Sequence, residues 1–230
     1  MNKSTLLKIL SLLPHFLFRR VVQYFKLDNQ KKNLSFEHSI ETKKSILKSL
    51  FEGESELFLK YIQNSNYYGE YGSGLSTIYV SNFSTVKAIS AETDILWINK
   101  IKDNLSSESN IELMHTNLGK ILHFGRPESY VYKDKIKDYL NSIWVGDFKP
   151  DLVLIDGRFR VACFLTSLIN AERGTHIIFD DYPSRPYYHI VEKFEKPISQ
   201  NNRQAVFKVS KNYEENEIKY YLDKFEYVVD

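Results

Sequence analysis

The chain has 230 residues, 43% hydrophobic and 26% charged, the balance of a globular protein with room for one full α/β domain and some decoration. Its 31 basic and 29 acidic residues leave a net charge of +2, which excludes the electrostatic footprint of a nucleic-acid binder. The single cysteine, Cys163, excludes an internal disulfide and a cysteine-based zinc cluster, and it fits a reducing, cytoplasmic setting.

In chain order, the first element is an apolar stretch from Leu6 to Phe18, interrupted by Lys8, Pro14 and His15 and closed by Arg19 and Arg20. It is too short to span a bilayer as a helix, and no small-residue cleavage site follows it. Leu6, Leu7, Leu10 and Leu13 share one helical face. That face suits either peripheral contact of residues 1–20 with the inner face of a membrane or docking on protein, the chain's own domain or a partner. After the polar linker 28–33, segments 36–50 and 54–63 read as helices from their apolar spacing. The organisation expected is an N-terminal helical extension, 1–53, followed by an α/β domain, 54–230.

From residue 66 the pattern alternates. Strands are expected at 66–71, 86–91, 111–115, 151–156 and 175–180, with helices at 75–82, 93–105, 133–143, 159–171 and 186–195. This alternation predicts βαβ units and a parallel sheet covered on both faces. The runs LVLI and IIF are continuously apolar, as central parallel strands are, and Cys163 lies in the apolar run VACFLTSL and reads as core. Two further strands are expected at 204–210 and 225–229, with a charged helical segment between them. The long segment 116–132, punctuated by Gly119, Gly125 and Pro127, reads as a lid or substrate loop.

A doubly wound sheet binds its ligands beyond the carboxyl ends of its strands, and each expected strand delivers polar residues or glycine there. They are Glu70, Gly72 and Gly74; Glu92; His115, Thr116 and Asn117; Asp156, Gly157 and Arg158; and Asp180, Asp181 and Tyr182. Gly72 and Gly74 permit a tight turn and a close ligand approach. Glu92 follows Gly74 by 18 residues, near the ~20-residue offset at which an acid meets a ribose diol; its alternative task is support of the helix start at Thr93. A dinucleotide site wants a third glycine where Ser76 or Thr77 stands. Glu70 beside the turn would repel a pyrophosphate but suits a cationic sulfonium ligand. The spacing therefore points to S-adenosylmethionine ahead of NAD, and an NAD-dependent sugar oxidoreductase is disfavoured.

The stretches EYGSGLST, AISAETD, DLVLIDGRFRVAC and IIFDDYPSRPYYHIVEKF resemble class I S-adenosylmethionine-dependent methyltransferase-like proteins, in particular the bacterial group found among surface-glycan genes. The resemblance covers roughly residues 55–210. It implies a Rossmann-like, mostly parallel seven-stranded sheet with the last strand antiparallel. It further implies methionine-moiety contacts from the Gly72 and Gly74 turn, a ribose contact from Glu92, and Asn117 beside the adenine, where many relatives carry aspartate.

Methyl transfer to an oxygen requires alignment and removal of the hydroxyl proton. Asp156, Asp180 and Asp181 are the candidate catalytic residues. One of them acts as general base, or all three hold a divalent cation that acidifies the hydroxyl. The second arrangement is similar to catechol-type O-methyltransferases, except that Asp181 stands where those carry an amide. Arg158, Arg160 and Arg185 are candidates for an acidic acceptor, with ion pairing to the aspartates as the alternative. Tyr182, Tyr187 and Tyr188 are candidates for stacking on sugar rings, although Tyr188 also reads as core; His123 and His189 are candidate bases, and His176 reads as structural. The expected function is O-methylation of a bacterial surface glycan or its precursor. The competing one is a catalytically silent methyltransferase-like scaffold that partners a glycan-synthesis enzyme.

Overall fold

The computed structural model describes residues 36–230, with side chains from residue 41 onward. The apolar segment 6–18 and the linker 28–33 lie outside the described residues. The chain divides into two compact units, 1–53 and 54–230. In the first, helix α1 (Phe36–Ser49) runs into a 3-10 turn, Leu50–Gly53.

The second unit is an α/β domain. Helix α2 (Glu56–Ile62) leads into β1 (Tyr67–Tyr71), α3 (Leu75–Phe83), β2 (Lys87–Glu92), α4 (Ile95–Lys102) and β3 (Ile111–His115). After a long irregular segment come α5 (Ile136–Asn141), β4 (Leu152–Ile155), α6 (Arg160–Asn170) and β5 (His176–Phe179). Next are β6 (Ser199–Gln200), β7 (Ala205–Lys208) and α7 (Glu215–Phe225). The seven strands form one sheet in the order β3-β2-β1-β4-β5-β7-β6. The first five are mutually parallel, and β7 runs antiparallel between β5 and β6. This is a methyltransferase-like α/β fold.

The central strands form because their residues are apolar on both faces. Leu152, Val153, Leu154 and Ile155 are fully buried, as are Ile177, Ile178 and Phe179. Such strands are stable only with helices above and below. Chain order reverses between β1 and β4, the point at which an open sheet leaves a crevice beyond its carboxyl ends.

Three expectations need correction. Segment 225–229 is no strand: α7 extends to Phe225 and a turn follows. Ile218, Leu222 and Phe225, at helical spacing, pack on the core beside Tyr221, so the helical period overrides the β-propensity of FEYVV. Segment 186–195 is 3-10 rather than α-helical over Pro186–Lys193. Segment 133–143 begins and ends in 3-10 turns around α5. Cys163 is buried in the core.

Candidate functional site

The site is built from the residue after each parallel strand. On β1, Glu70 is fully enclosed and accepts four hydroxyl hydrogen bonds. Tyr68 (2.8 Å) and Ser76 (2.7 Å) donate to Oε2, and Ser90 (2.6 Å) and Thr77 donate to Oε1. Burial pushes its pKa up, and the hydroxyls oppose the rise. The expectation that Glu70 faces a sulfonium ligand is therefore corrected. Its carboxylate joins β1, β2 and the first turn of α3, and so fixes the shape of the turn between them. Replacing Glu70 with alanine strands four buried hydroxyls; rearrangement among them recovers part of the loss. The expected cost is about 2–4 kcal/mol in urea unfolding, and an unfolding free energy equal to wild type would remove this role.

The turn itself is tied at several points. The Trp97 indole donates to the Ser73 carbonyl (2.7 Å), and the Gly74 N–H donates to Thr77 Oγ1 (2.8 Å). Gly72 has φ 95°, and a Cβ there would stand 2.7 Å from the Cα and N of Gly157. It is needed for contact between two backbones as well as for the turn. A Cβ on Gly74 would meet nothing within 4 Å, so this side of the turn is open to a ligand.

On β2, Glu92 is largely buried. Its Oε1 accepts from Thr93 N (2.7 Å), Asp94 N (3.0 Å) and Thr93 Oγ1 (3.3 Å). Oε2 makes no hydrogen bond among the described residues. Burial raises the pKa of this carboxyl, against the pull of the two backbone donors. The cap of α4 is Asp94, which accepts from Leu96 and Trp97 N–H, so one oxygen of Glu92 is left for another partner. After β3, Asn117 is exposed and its Oδ1 accepts from Gly119 N (2.9 Å). It shapes a turn.

The segment after β3 folds back over this edge. Ile121 and Pro127 bridge, with Phe124 and Gly125 left-handed between them (φ 60° and 72°). Thr93 Oγ1 donates to Gly125 O (3.4 Å), and Arg158 Nε donates to Phe124 O (2.6 Å). The backbone at 124–125 thereby walls the space beside Glu92.

At β4 and β5 the charges form a lattice. Asp156 keeps 30% of its side chain exposed and pairs with Arg160 Nη2 at 3.1 Å. Desolvation and the neighbouring Asp180 hold its pKa well above the usual aspartate range. Asp180 is fully buried. It receives Arg203 Nε (2.9 and 3.1 Å) and Nη2 (2.6 Å), plus Gln204 Nε2 (3.2 Å). Asp181, left-handed at φ 58°, pairs with Arg185 (2.8 Å), Arg203 (3.1 Å) and Arg160 (3.3 Å). Asp180 and Asp181 are thus bound by guanidinium groups instead of facing an acceptor.

Arg160 is buried and donates to the carbonyls of Gly157 (2.9 Å) and Asp180 (2.7 Å). Arg158 also donates to Asp230 O, and Arg185 donates to Tyr188 Oη (3.0 Å). The ion-pairing alternative therefore describes Arg160 and Arg185, and an acidic acceptor finds them engaged. Tyr188 and Tyr182 are buried and cannot stack on a sugar; Tyr187 is exposed. His189 lies against Tyr182 and His176 against Tyr61, and His123 is exposed.

A divalent cation does not fit this donor set. Each of the three aspartates is already paired with at least one arginine, and among the described residues no group of three or more His, Cys, Asp or Glu is arranged to hold a metal ion. The residues present are compatible with S-adenosylmethionine: the flank of Gly74 is open and Glu92 Oε2 is uncommitted, at the ends of adjacent strands.

Arg203 and Gln204, which hold Asp180, were not singled out from the sequence, because NNRQ carries no motif. The hydroxyls around Glu70 carry a signal, since Ser76 and Thr77 stand two and three residues after Gly74.

A scan of protein-family models finds no match, and a search of curated proteins finds none either. Among solved structures, the chain is similar to a methyltransferase-like protein (spo2022) from Silicibacter pomeroyi DSS-3. The TM-score is 0.68 and the identity 28%, over 77% of this chain and 94% of that one. Weaker likenesses include a mutant of MtNAS, with TM-score 0.48 and 10% identity over 84% and 70% of the two chains. Another is the N-methyltransferase NodS from Bradyrhizobium japonicum WM9, with TM-score 0.43 and 13% identity over 72% and 99%.

Proposed function

We propose that this chain is an S-adenosylmethionine-dependent methyltransferase acting on a hydroxyl of a bacterial surface glycan or its precursor, in the cytoplasm at the inner face of the membrane. One juxtaposition carries the reading. The open flank of Gly74 after β1, the free oxygen of Glu92 at the end of β2 and the partly exposed Asp156 after β4 stand at the carboxyl ends of three neighbouring strands, at the β1/β4 switch point. The likeness to the Silicibacter pomeroyi methyltransferase-like protein supports the cofactor class. The sequence resemblance to surface-glycan methyltransferases supports the acceptor.

When bound, S-adenosylmethionine supplies an electrophilic methyl group. The Gly74 turn and Glu92 Oε2 would hold it, and Asp156 would serve the acceptor hydroxyl. On methyl transfer, which would leave S-adenosylhomocysteine, the Asp156 carboxylate would accept the proton of the acceptor hydroxyl. A carboxyl whose pKa is raised is the stronger base for this step. Arg160 fixes Asp156 through its side chain and through the neighbouring carbonyls.

The catalytically silent scaffold is the second reading. It is favoured by one observation, that Asp180 and Asp181 are consumed by ion pairs. Calorimetric titration of S-adenosylmethionine and S-adenosylhomocysteine separates the two. Wild type is expected to bind both, and Glu92→Ala to bind at least about tenfold more weakly through loss of a charge-assisted hydrogen bond. Absence of binding by wild type would reject the enzyme and leave the scaffold.

A further inference from the structure

The segment after β3 presents a surface that the proposed reaction does not use. Its backbone is tied to the site through Phe124 and Gly125, while its side chains point outward. Leu122 is 42% exposed, Phe124 55%, Tyr130 53%, Val131 77% and Tyr132 47%. Five large apolar side chains in 11 residues form a patch of the kind that marks an interaction surface. Tyr227 and Val228 are also exposed, and the Tyr130 hydroxyl donates to the Tyr227 carbonyl (2.9 Å).

Charge identifies the occupant. Residues 120–138 contain 5 basic side chains (Lys120, Arg126, Lys133, Lys135, Lys137) and 3 acidic ones (Glu128, Asp134, Asp138), and Lys120, Lys135 and Lys137 pair with Glu128, Asp138 and Glu226. The segment keeps a surplus of +2, and Arg126 and Lys133, interleaved with the apolar side chains, form no ion pair among the described residues. Apolar side chains interleaved with basic ones are the composition of an interfacial membrane contact, where rings and aliphatic groups enter the headgroup boundary and cations meet anionic lipid. A saccharide would use the aromatic faces but has no use for Leu122, Val131 or the surplus charge.

We propose that loop 121–133 is a docking surface for an anionic lipid bilayer, which it contacts on the same edge of the sheet as the cofactor turn. Docking there brings the mouth of the site to the membrane, so the acceptor is a lipid-borne molecule; this last step rests on the methyltransferase reading, whereas the docking does not.

The test is flotation of the full chain with vesicles of phosphatidylcholine alone or with about 30% phosphatidylglycerol, at about 0.1 M and 0.5 M salt. Wild type is expected to float with the anionic vesicles at low salt and to be largely released at high salt. The double variants Leu122→Ser/Val131→Ser and Arg126→Glu/Lys133→Glu are each expected to lose about tenfold in partitioning, with melting temperature and cofactor titration as in wild type. Wild type that stays with the unbound fraction overturns the proposal. So do double variants that float normally, which would assign any membrane contact to another segment such as 1–20. Self-association abolished by Leu122→Ser/Val131→Ser would assign the surface to a second copy and likewise overturn it. If wild type floats but binds no S-adenosylmethionine, the methyltransferase reading falls and the docking surface stands.

Discussion

Asp156→Asn is expected to lower turnover by about a hundred- to ten-thousandfold, the range for loss of a positioned general base, while S-adenosylmethionine still binds as in wild type. Only the ionised carboxyl can take the hydroxyl proton. Because burial and Asp180 raise its pKa, the wild-type kcat/KM should climb with pH through a midpoint above the ordinary aspartate range. The asparagine variant should lose that limb. Stability moves the other way. A carboxyl whose folded pKa exceeds its unfolded one contributes stability that is fully present below the unfolded value and is lost as pH rises through the folded value. Asparagine escapes this loss but also removes one of the carboxylates on buried Arg160, so the melting temperature of the variant relative to wild type should rise as pH rises. Normal turnover by Asp156→Asn would end the catalytic assignment.

Arg203→Ala carries the largest expected cost in stability. It removes the forked partner of Asp180, a fully buried carboxylate, and one of three guanidinium groups on Asp181. Breaking a buried ion pair from one side costs about 3–5 kcal/mol because the remaining charge is stranded. Urea unfolding measures this, and a change below about 1 kcal/mol would show that the lattice is not structural. The same variant has an electrostatic signature. Arg203 is among the charges that hold the Asp156 pKa down, so its removal should move the pH midpoint of any surviving activity upward. Lysine at 203 keeps the charge but not the fork. It is expected to restore the midpoint more fully than the stability.

The parallel strands were legible because their apolar runs are long and bounded by polar residues, as in DLVLID and THIIFD. Segment 225–229 misled because FEYVV is short and β-branched, and the pattern that decides its fate begins seven residues earlier, at Ile218. The two-residue strand β6 carries too few residues for any periodicity. At the site, glycines and acids after strands marked the right places, but their tasks depended on partners far away in sequence. Glu70 looks like an exposed acid until Ser90, 20 residues on, is seen to donate to it. Asp180 looks like a catalytic acid until Arg203, 23 residues on, closes over it. Spacing shows where a carboxylate stands; whether it is free depends on which distant donors the fold returns to it.

The contact between Gly72 and Gly157 joins the two turns on which the proposed chemistry divides, one for the cofactor and one for the base. A methyl group on either glycine would have to push the opposite backbone aside. The Tyr139 hydroxyl, which stands where a Gly157 side chain would begin, closes the remaining direction of retreat. The two turns therefore behave as one rigid part. A variant of either turn inherits the geometry of the other, and improvements selected in this site should arise as paired changes across the seam.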